Sequence, residues 1–532
     1  MLYRTFVLCI LVRNTWSSSW ESEVEEGSKV HFPPWFKFGS ATASHQIEGA
    51  WNASGKTPHI WDVFAHTVPG AISDGSNGDV ACDSYRLWRE DVKMAADLGL
   101  DFYRFSISWP RILPSGFPNH INEEGVRYYS DLMDGLLEVG IEPVVTIYHW
   151  ELPQSLQDLG GWTNPLVVDW YADYARVLFT LYADRVKTWI TLNEPMVFCE
   201  ATYTLGSHAP GILSPGIGNF LCNRHALLAH AKAWRIYDQE FRHKYHGKLA
   251  LTNNLLWFEP DEGHGDEVAE LVRELGAGMY SHAIYSKEGG WPPVIKKIIA
   301  ERSRRQGYPK SRLPPFTKEE IKFIRGTYDF YGFNYYTARL ARWAKPGEVL
   351  GRWPHFGTDE LNISLVVKPE WKKSPLDWFI IYPEGIRRQM KWLKRKYGNI
   401  EIFIMENGLA NVDPRLDDTD RVDFYREHLR QVLLSIYEDG VNVTGYTAWS
   451  LMDNYEWIDG YHSKFGLYAV DFSDNERRRT PRASAFYYSS VVRTGSLVVP
   501  ATYASYTASS SKNAVSYITV LINFMLALSL IK

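Results

Sequence analysis

A repeated alternation of short apolar segments with amphipathic segments runs through residues 31–495 and constrains the fold more than any other feature. The apolar segments have the length of strands; they are residues 36–42, 102–107, 142–148, 187–192, 249–253, 329–334, 401–405 and 443–448. Between them lie segments with helical periodicity, most clearly 84–98 and 123–139. The pattern predicts an α/β fold, a single (β/α)8 TIM barrel with long βα loops. An open, doubly wound sheet would give a similar pattern.

Composition and charge limit the function classes. The chain has 532 residues, 45% of them hydrophobic, and a formal net charge of −5, which is typical of a globular protein and excludes a disordered one. The slightly acidic balance disfavours nucleic acid as a partner, since phosphates require a basic surface. The 21 Trp and 32 Tyr residues exceed what a core needs and suit stacking against sugar rings.

Both ends of the chain have the composition of targeting segments. Residues 1–20 combine a basic start, a short apolar run and small residues, which predicts a signal peptide and a secreted or cell-surface location. Residues 496–513 form a small, polar linker, and residues 514–532 are hydrophobic. This ending indicates a lipid-anchor signal of the GPI type, removed near Ser509 or Ser510. A retained membrane anchor, or neither, is the alternative.

The cysteines and sequons fit the same compartment. Cys199 and Cys222 can pair in an oxidising environment, Cys9 leaves with the signal peptide, and Cys82 is then a lone buried thiol. No cysteine or histidine cluster indicates zinc, so we expect no metal. Asn52 and Asn362 are expected to carry glycans, whereas the third sequon, at Asn442, enters an apolar run.

Polar residues follow the predicted strands, and the carboxyl ends of the strands in such a barrel meet on one face. Glu194 follows the fourth strand and Glu406 the seventh. A carboxylate at the end of an apolar strand is costly unless it is paired or functional. Two carboxylates facing each other across the mouth are the arrangement for glycoside hydrolysis by a general acid and a nucleophile.

Five sequence stretches carry a resemblance to a known family. They are FKFG through HQIEG at 36–49, YRFSISW at 103–109, TLNEP at 191–195, IMENG at 404–408 and WSLMDNYEW at 449–457. In this order and spacing they resemble the family-1 glycoside hydrolases, which include the retaining β-glucosidases, the animal lactase-like proteins and the insect myrosinase-like β-glucosidases. The resemblance covers residues 31–495, which we therefore expect to form one catalytic domain.

The resemblance implies the catalytic roles. It makes Glu406 the nucleophile, kept ionised by Arg104 and the Tyr336 hydroxyl. It makes Glu194 the acid/base, whose pKa must be raised before the first step. Asn193 beside it suits the sugar 2-hydroxyl, and the carboxyl groups are expected to lie about 5–5.5 Å apart, which predicts retention.

The resemblance also implies a sugar pocket. Its members are expected to hold the glycone hydroxyls or stack on the ring; they are Gln46, His149, Asn193, Trp449, Glu456 and Trp457. Trp378 matches a platform for the aglycone, although it could equally be a core aromatic residue. No cofactor is implied, and the partner is a small β-glycoside or oligosaccharide. Glucosides are the expected substrates, with galactosides and fucosides as further ones.

Two departures from the family pattern and two rival functions accompany this interpretation. Met405 stands where Thr usually precedes the nucleophile, and Arg482 stands where Lys is common.

A thioglucosidase is one alternative function, because its leaving group needs little protonation. A non-catalytic, klotho-like binding protein displayed on a membrane is the other, but such relatives can lose a catalytic carboxylate and this chain keeps both.

Overall fold

Residues 30–351 and 357–498 are described by a computed structural model. Eight parallel strands form a closed barrel; they are β1 (Lys37–Ala41), β2 (Phe102–Ser106), β3 (Glu142–Tyr148), β4 (Thr188–Asn193), β5 (Lys248–Asn254), β7 (Tyr331–Asn334), β10 (Ile402–Asn407) and β11 (Val443–Trp449). The predicted segments 1–20 and 514–532, and most of 496–513, lie outside the described residues.

The barrel closes between its first and last strands. β1 pairs in parallel with β11, from Lys37 opposite Gly445 to Ala41 opposite Trp449, and pairs on its other edge with β2. All eight predicted strands are present; β7 starts two residues later than predicted, and β10 extends two residues further. The (β/α)8 prediction is therefore confirmed, and the open-sheet alternative is wrong because β1 has neighbours on both sides.

The lower part of the barrel interior is filled by apolar side chains. Phe102, Val144, Ile190, Ala250, Phe330, Phe403 and Met405 form one buried cluster. Because side chains alternate along a strand, Arg104 shares the inward face of β2 with Phe102, two residues further toward the mouth. Met405 is thus part of the packed layer, where a thioether is well tolerated.

Helices lie around the barrel and within the loops at its mouth. In chain order they are α1 (Ser44–Ile47), α2 (Ile60–Thr67), α3 (Ser84–Leu98), α4 (Trp109–Ile112), α5 (Glu123–Glu138), α6 (Gln154–Gln157), α7 (Val167–Tyr182), α8 (Pro195–Tyr203), α9 (Gly218–Ile236), α10 (Arg242–Tyr245), α11 (Asp266–Arg273), α12 (Met279–Tyr285), α13 (Pro293–Arg305), α14 (Lys318–Ile324), α15 (Thr358–Leu361), α16 (Pro383–Tyr397), α17 (Thr419–Tyr437) and α18 (Ala483–Thr494). The predicted helix 84–98 matches α3, and the predicted helix 123–139 matches α5 to within one residue.

The long loops at the mouth carry their own small sheets. β6 (Trp257–Pro260), β8 (Ala338–Trp343) and β9 (Ile363–Val366) form a three-stranded sheet, and β12 (Tyr468–Val470) pairs with β13 (Arg479–Pro481). Arg482 follows β13 and binds both carboxylate oxygens of Asp453, at 2.8 and 2.7 Å. The arginine therefore fixes the 449–457 loop in a role that needs two donors.

The three cysteines in the described residues are in the predicted states, and Cys9 lies outside those residues. Cys199 on α8 and Cys222 on α9 form a disulfide, with their Cα atoms 5.5 Å apart. Cys82 is a buried free thiol that donates to the carbonyl of Asp453 at 3.1 Å.

Surface features bear on the glycan and membrane predictions. Asn52 and Asn362 are exposed, as a glycosylated residue must be, and Asn442 is exposed as well, so the apolar run beside it does not bury that sequon. Within 30–351 and 357–498, the structure contains no helix long and apolar enough to cross a membrane.

Candidate active site

Two buried carboxylates lie at the carboxyl ends of two barrel strands that are separated by β5 and β7. Glu194 directly follows β4 and precedes the first residue of α8, while Glu406 is the second-last residue of β10. Their exposed fractions are 6% and 4%. The barrel topology thus brings together two acids that are 212 positions apart in the sequence.

Arg104 connects the residues around these carboxylates. Its Nη1 donates to Glu406 Oε1 at 2.7 Å and to the Met405 carbonyl at 2.9 Å, and its Nη2 donates to Asn193 Oδ1 at 2.7 Å. Its Nε donates to Thr146 Oγ1 at 3.0 Å. A buried guanidinium needs this degree of pairing, and this one side chain links β2, β3, β4 and β10.

Glu406 has the environment of an ionised carboxylate. Burial raises its pKa above the ordinary value, but the Arg104 charge and the Tyr336 hydroxyl, which donates to Glu406 Oε2 at 2.8 Å, both oppose that rise. Each carboxylate oxygen therefore accepts a hydrogen bond, one of them from a cation.

Glu194 has the environment of a protonated acid. Burial, and after it the charge of Glu406, raises the pKa of Glu194 to about 8, while the Asn334 amide opposes this by donating to Glu194 Oε1 at 2.6 Å. Of the two coupled carboxyls, Glu194, with a pKa above neutrality, is therefore the one suited to hold a proton, and Glu406, bound by a cation, is the one suited to carry the charge.

Three residues at the mouth have a left-handed backbone that bulky side chains rarely adopt. Trp150, Glu194 and Trp457 have φ angles of 82°, 49° and 53°. Trp150 donates from its indole nitrogen to the Asn193 carbonyl at 2.9 Å, and its ring lies 4.3 Å from that of Trp457. Such strained positions persist where surrounding contacts hold them, and they concentrate at functional sites.

Gln46 and Glu456 meet beside the carboxylates. Gln46 Nε2 donates to Glu456 Oε2 and to Asn454 Oδ1, both at 3.0 Å, and Gln46 Oε1 accepts no hydrogen bond from the described residues. Burial, followed by the charges of Asp459 and Glu406, raises the pKa of Glu456 to about 8. A protonated carboxyl there can both donate to and accept from a hydroxyl group.

His149 is held as a neutral imidazole with a defined tautomer. Burial and the nearby Arg104 keep its pKa well below the ordinary value. The Asn193 amide donates to His149 Nε2 at 3.0 Å, which assigns the ring proton to Nδ1. Nδ1 has no partner among the described residues and so offers a donor to a ligand.

Aromatic rings complete the predicted sugar pocket. The His149 ring stacks near Trp449 and Trp457, with centroids 6.0 and 5.8 Å away. Trp378 is half-buried and lies edge-on to Tyr336 with 6.5 Å between centroids, which places it next to the residue that holds Glu406. Asn193 thus links Arg104 to His149, whose ring contacts the two tryptophans, and Trp378 contacts Tyr336.

Sequence reasoning assigned no role to several residues that the structure places in the site. Asn334 ends β7 and contacts both Glu194 and, at 3.2 Å, Asn193. Trp150 supports Asn193, and Asn454 holds Gln46. Their shared signal was a polar or aromatic residue at, or just after, the end of a strand or within a matched motif.

One cluster of histidine and aspartate side chains has the spacing of metal ligands. Among the described residues, His45, His59 and Asp62 form one group whose ligand atoms lie within 4.8 Å of one another. The Lys56 ammonium already donates to Asp62 Oδ2 at 2.7 Å, and all four side chains are buried. Because the charge of the Asp62 carboxylate is already paired with that of Lys56, we assign no metal to the cluster.

An acid that holds its proton, an ionised carboxylate beside it and a set of hydroxyl-binding groups are the parts needed to cleave a glycosidic bond. Comparison with known proteins gives the same result. The chain is 44% identical to Myrosinase 1 of Brevicoryne brassicae over 467 residues, covering 87% of this chain and 99% of that protein. It is 41% identical to human cytosolic β-glucosidase over 472 residues, covering 88% and 99%.

Among solved structures, a rice β-glucosidase mutant in a covalent complex with Glc superposes with a TM-score of 0.81 at 35% identity. The superposition covers 88% of this chain and all of the rice chain. The sequence model of glycosyl hydrolase family 1 matches residues 28–496. The chain belongs to glycosyl hydrolase family 1 and is a retaining β-glycosidase.

Proposed function

We propose that this β-glycosidase hydrolyses β-D-glucosides by double displacement, with Glu406 as nucleophile and Glu194 as acid/base. The observation that carries the proposal is the pairing of a carboxyl with a pKa of about 8 and a carboxylate bound by Arg104 at 2.7 Å. β-D-Galactosides and β-D-fucosides are further proposed substrates, since galactose differs from glucose only at C4 and D-fucose differs from galactose only at C6.

The first half-reaction follows from the two protonation states. Glu194 donates its proton to the glycosidic oxygen as the bond to the anomeric carbon breaks, and a Glu406 oxygen attacks that carbon. The aglycone leaves as an alcohol, and the sugar remains as an ester of Glu406. The ester removes the charge of Glu406, which is one cause of the raised pKa of Glu194.

The second half-reaction uses the lowered pKa of Glu194. Glu194, now ionised, takes a proton from water, and the oxygen attacks the anomeric carbon to release the sugar and regenerate Glu406. Both steps invert the anomeric carbon, so the product keeps the β configuration. Asn193, already bound to Arg104 and His149, has one amide hydrogen left for the 2-hydroxyl.

The proposed sugar pocket uses the remaining side chains. Gln46 and Glu456 are assigned to the hydroxyls at the far side of the ring, and His149 offers its Nδ1 hydrogen. Trp449 and Trp457 are assigned to the ring faces, and Trp378 to the aglycone. The support is that Gln46 binds Glu456, that the His149 ring stacks near Trp449 and Trp457, and that Gln46 Oε1 and His149 Nδ1 have no partner among the described residues.

Substitution of the nucleophile tests the proposal. We expect Glu406→Gln to lower kcat on 4-nitrophenyl β-glucoside by at least about 10⁴-fold, because no covalent intermediate can form. The wild-type enzyme should gain the mass of one sugar when treated with a 2-deoxy-2-fluoro-glucoside, and the variant should not. Labelling of the variant, or substantial turnover by it with an unchanged circular dichroism spectrum, would contradict the assignment.

Thioglucosidase activity is the second candidate, favoured by the 44% identity to Myrosinase 1. A thioglucosidase needs little acid assistance to its leaving group, so an acid that retains its proton at neutral pH supports O-glycosides as the main substrates. The klotho-like alternative is disfavoured because both carboxylates and their donors are present. Hydrolysis of a glucosinolate, measured beside an aryl glucoside, ranks the two enzyme activities.

We further propose that residues 1–20 direct the chain into the secretory pathway and are then removed, that Asn52 and Asn362 carry glycans, and that the 514–532 segment directs attachment to the cell surface. The support is the Cys199–Cys222 disulfide, typical of oxidising compartments, and the exposure of both asparagines.

A further inference from the structure

A second cavity, which we call the α8 cavity, lies along the helix that begins after Glu194. Its volume is about 400 Å³, within the range of small-molecule sites. One wall is formed by a single face of α8 and the residue after it. The residues of this face are four positions apart, which places them on one side of a helix; they are Met196, Glu200 and Thr204. α9 and α12 form the facing walls.

The base of the α8 cavity is polar and includes an acceptor that the protein leaves unused. Glu200, 6% exposed, accepts from Asn219 Nδ2 at 2.9 Å, from Asn223 Nδ2 at 3.0 Å and from Thr204 Oγ1 at 2.6 Å. These bonds fix the Asn219 amide with its Oδ1 free of any donor among the described residues, although Asn219 is only 4% exposed. A buried acceptor without a donor costs free energy, so this oxygen is suited to a hydrogen-bond donor on a ligand.

The side walls are apolar. Phe220 on α9 and Met279 on α12 are almost fully buried where they line the cavity, and the ring of Tyr280 lies beside them. The Tyr280 hydroxyl donates to Asn223 Oδ1, so its hydrogen is already used. An apolar group with a hydroxyl or amine at its end matches these walls and this base.

The charge of the lining distinguishes among such groups. Three carboxylates, Glu200, Asp359 and Glu360, and one guanidinium, Arg312, line the cavity. Arg312 binds Glu360 at 2.5 and 2.8 Å, and Arg302 approaches the same carboxylate at 2.9 Å from outside the lining. The acidic excess therefore lies at Glu200 in the base and Asp359 at the exposed rim, and an anion entering there meets like charge.

The lining of the cavity begins two residues after Glu194, at Met196. Glu200 is six residues after Glu194, which corresponds to about 9 Å at the rise of an α-helix. We propose that the α8 cavity receives the far end of the aglycone and selects neutral or cationic, hydrogen-bond-donating aglycones against anionic ones. This inference rests on the proposed function, and it counts against substrates such as glucosinolates, whose aglycones carry a sulfate.

Three matched glucosides test the inference on the whole enzyme. Each has the same six-carbon chain on the anomeric oxygen, ending in an ammonium, a hydroxyl or a carboxylate, so the leaving groups are alike. We expect kcat/KM for the carboxylate to be about tenfold below that for the hydroxyl, with the ammonium at least equal to the hydroxyl. Values within twofold for all three would overturn the proposal.

A charge-reversal variant and a matched control locate the effect. Asp359→Lys changes the rim of the cavity, and we expect it to raise the carboxylate-to-hydroxyl ratio of kcat/KM about tenfold. Glu138→Lys makes the same charge change at the exposed last residue of α5, at the opposite end of the barrel, and should leave the ratio unchanged. An equal shift in both variants would show that overall charge acts, and would overturn the proposal.

Hydrolysis of 4-nitrophenyl β-glucoside separates this inference from the function on which it rests. Absence of turnover on that substrate and on all three alkyl glucosides would contradict the proposed function. Turnover of the aryl glucoside without discrimination among the alkyl glucosides would contradict only the role of the α8 cavity.

Discussion

At the scale of single residues, the chemistry depends on which of the two carboxyl groups, Glu194 or Glu406, carries the negative charge. Arg104 binds Glu406 and Asn193, Asn193 binds His149, and Asn334 binds Asn193 and Glu194. The proton on Glu194 therefore depends on the charge of Glu406, and the polar groups between them hold both side chains in place.

The role of Glu194 can be measured through leaving groups and pH. We expect Glu194→Ala to lower kcat about 10²- to 10⁴-fold for poor leaving groups and much less for 2,4-dinitrophenyl β-glucoside, with azide restoring part of the rate. The wild-type kcat/KM should fall as pH rises through about 8, since the acid then loses its proton.

The control is the activated substrate, whose departure needs no acid. Its kcat/KM in Glu194→Ala should lack the alkaline fall near pH 8. Equal rate losses for all leaving groups, without azide rescue, would refute the acid/base role.

The sequence predicted the main residues of the site and missed those whose role is purely geometric. Glu194, Glu406, Arg104 and Tyr336 could be found because an ionisable or hydroxyl group at a strand end stands out. Asn334 and Trp150 act through contacts with Asn193, which is 141 and 43 positions away in the sequence. A local sequence pattern cannot predict a contact between residues so far apart in the sequence.

At the scale of elements, strands were predictable and loops were not. Barrel strands are buried on both faces, so their sequences read as continuous apolar runs that end at a polar residue. Short helices such as α6 and α10, and the sheet of β6, β8 and β9, form because the barrel supports them. Four residues carry too little periodicity to predict such an element.

Glu151 connects the loop after β3 to α1 and β2. It lies after β3 and accepts from the backbone nitrogens of His45 and His149, at 3.3 and 3.1 Å, and from Ser106 Oγ at 3.3 Å. Burial outweighs these donors and raises the pKa of Glu151 to about 7. The folded state therefore binds this proton more tightly than the unfolded chain does.

Stability should consequently depend on pH through Glu151. Its contribution is fully present below about pH 4.5 and is lost as pH rises through 7, a change of about 3 kcal/mol in the free energy of unfolding. We expect Glu151→Gln to flatten the fall in melting temperature between pH 5 and 8. Glu138→Gln, at an exposed helix end, should keep the wild-type dependence; the same dependence in Glu151→Gln would refute the assignment.

At the scale of the whole molecule, the barrel and its loops account for residues 30–351 and 357–498, and the two ends are expected to decide where the molecule resides. The composition of 514–532 predicts an anchor signal that is exchanged for lipid, and this stays a prediction. We expect phosphoinositide-specific phospholipase C to release the full-length protein from cell membranes. Protein that remains bound, beside a released GPI-anchored control, would indicate a retained span.

The placement of the Cys199–Cys222 bridge has a consequence for how such an enzyme changes over generations. It joins α8 to α9, beside Glu200 and Asn223 of the α8 cavity, and it includes no barrel strand. The bridge thus ties two walls of the α8 cavity to each other rather than to the strands that carry Glu406 and Arg104. Selection can therefore change the residues of these walls while the inherited barrel strands stay the same.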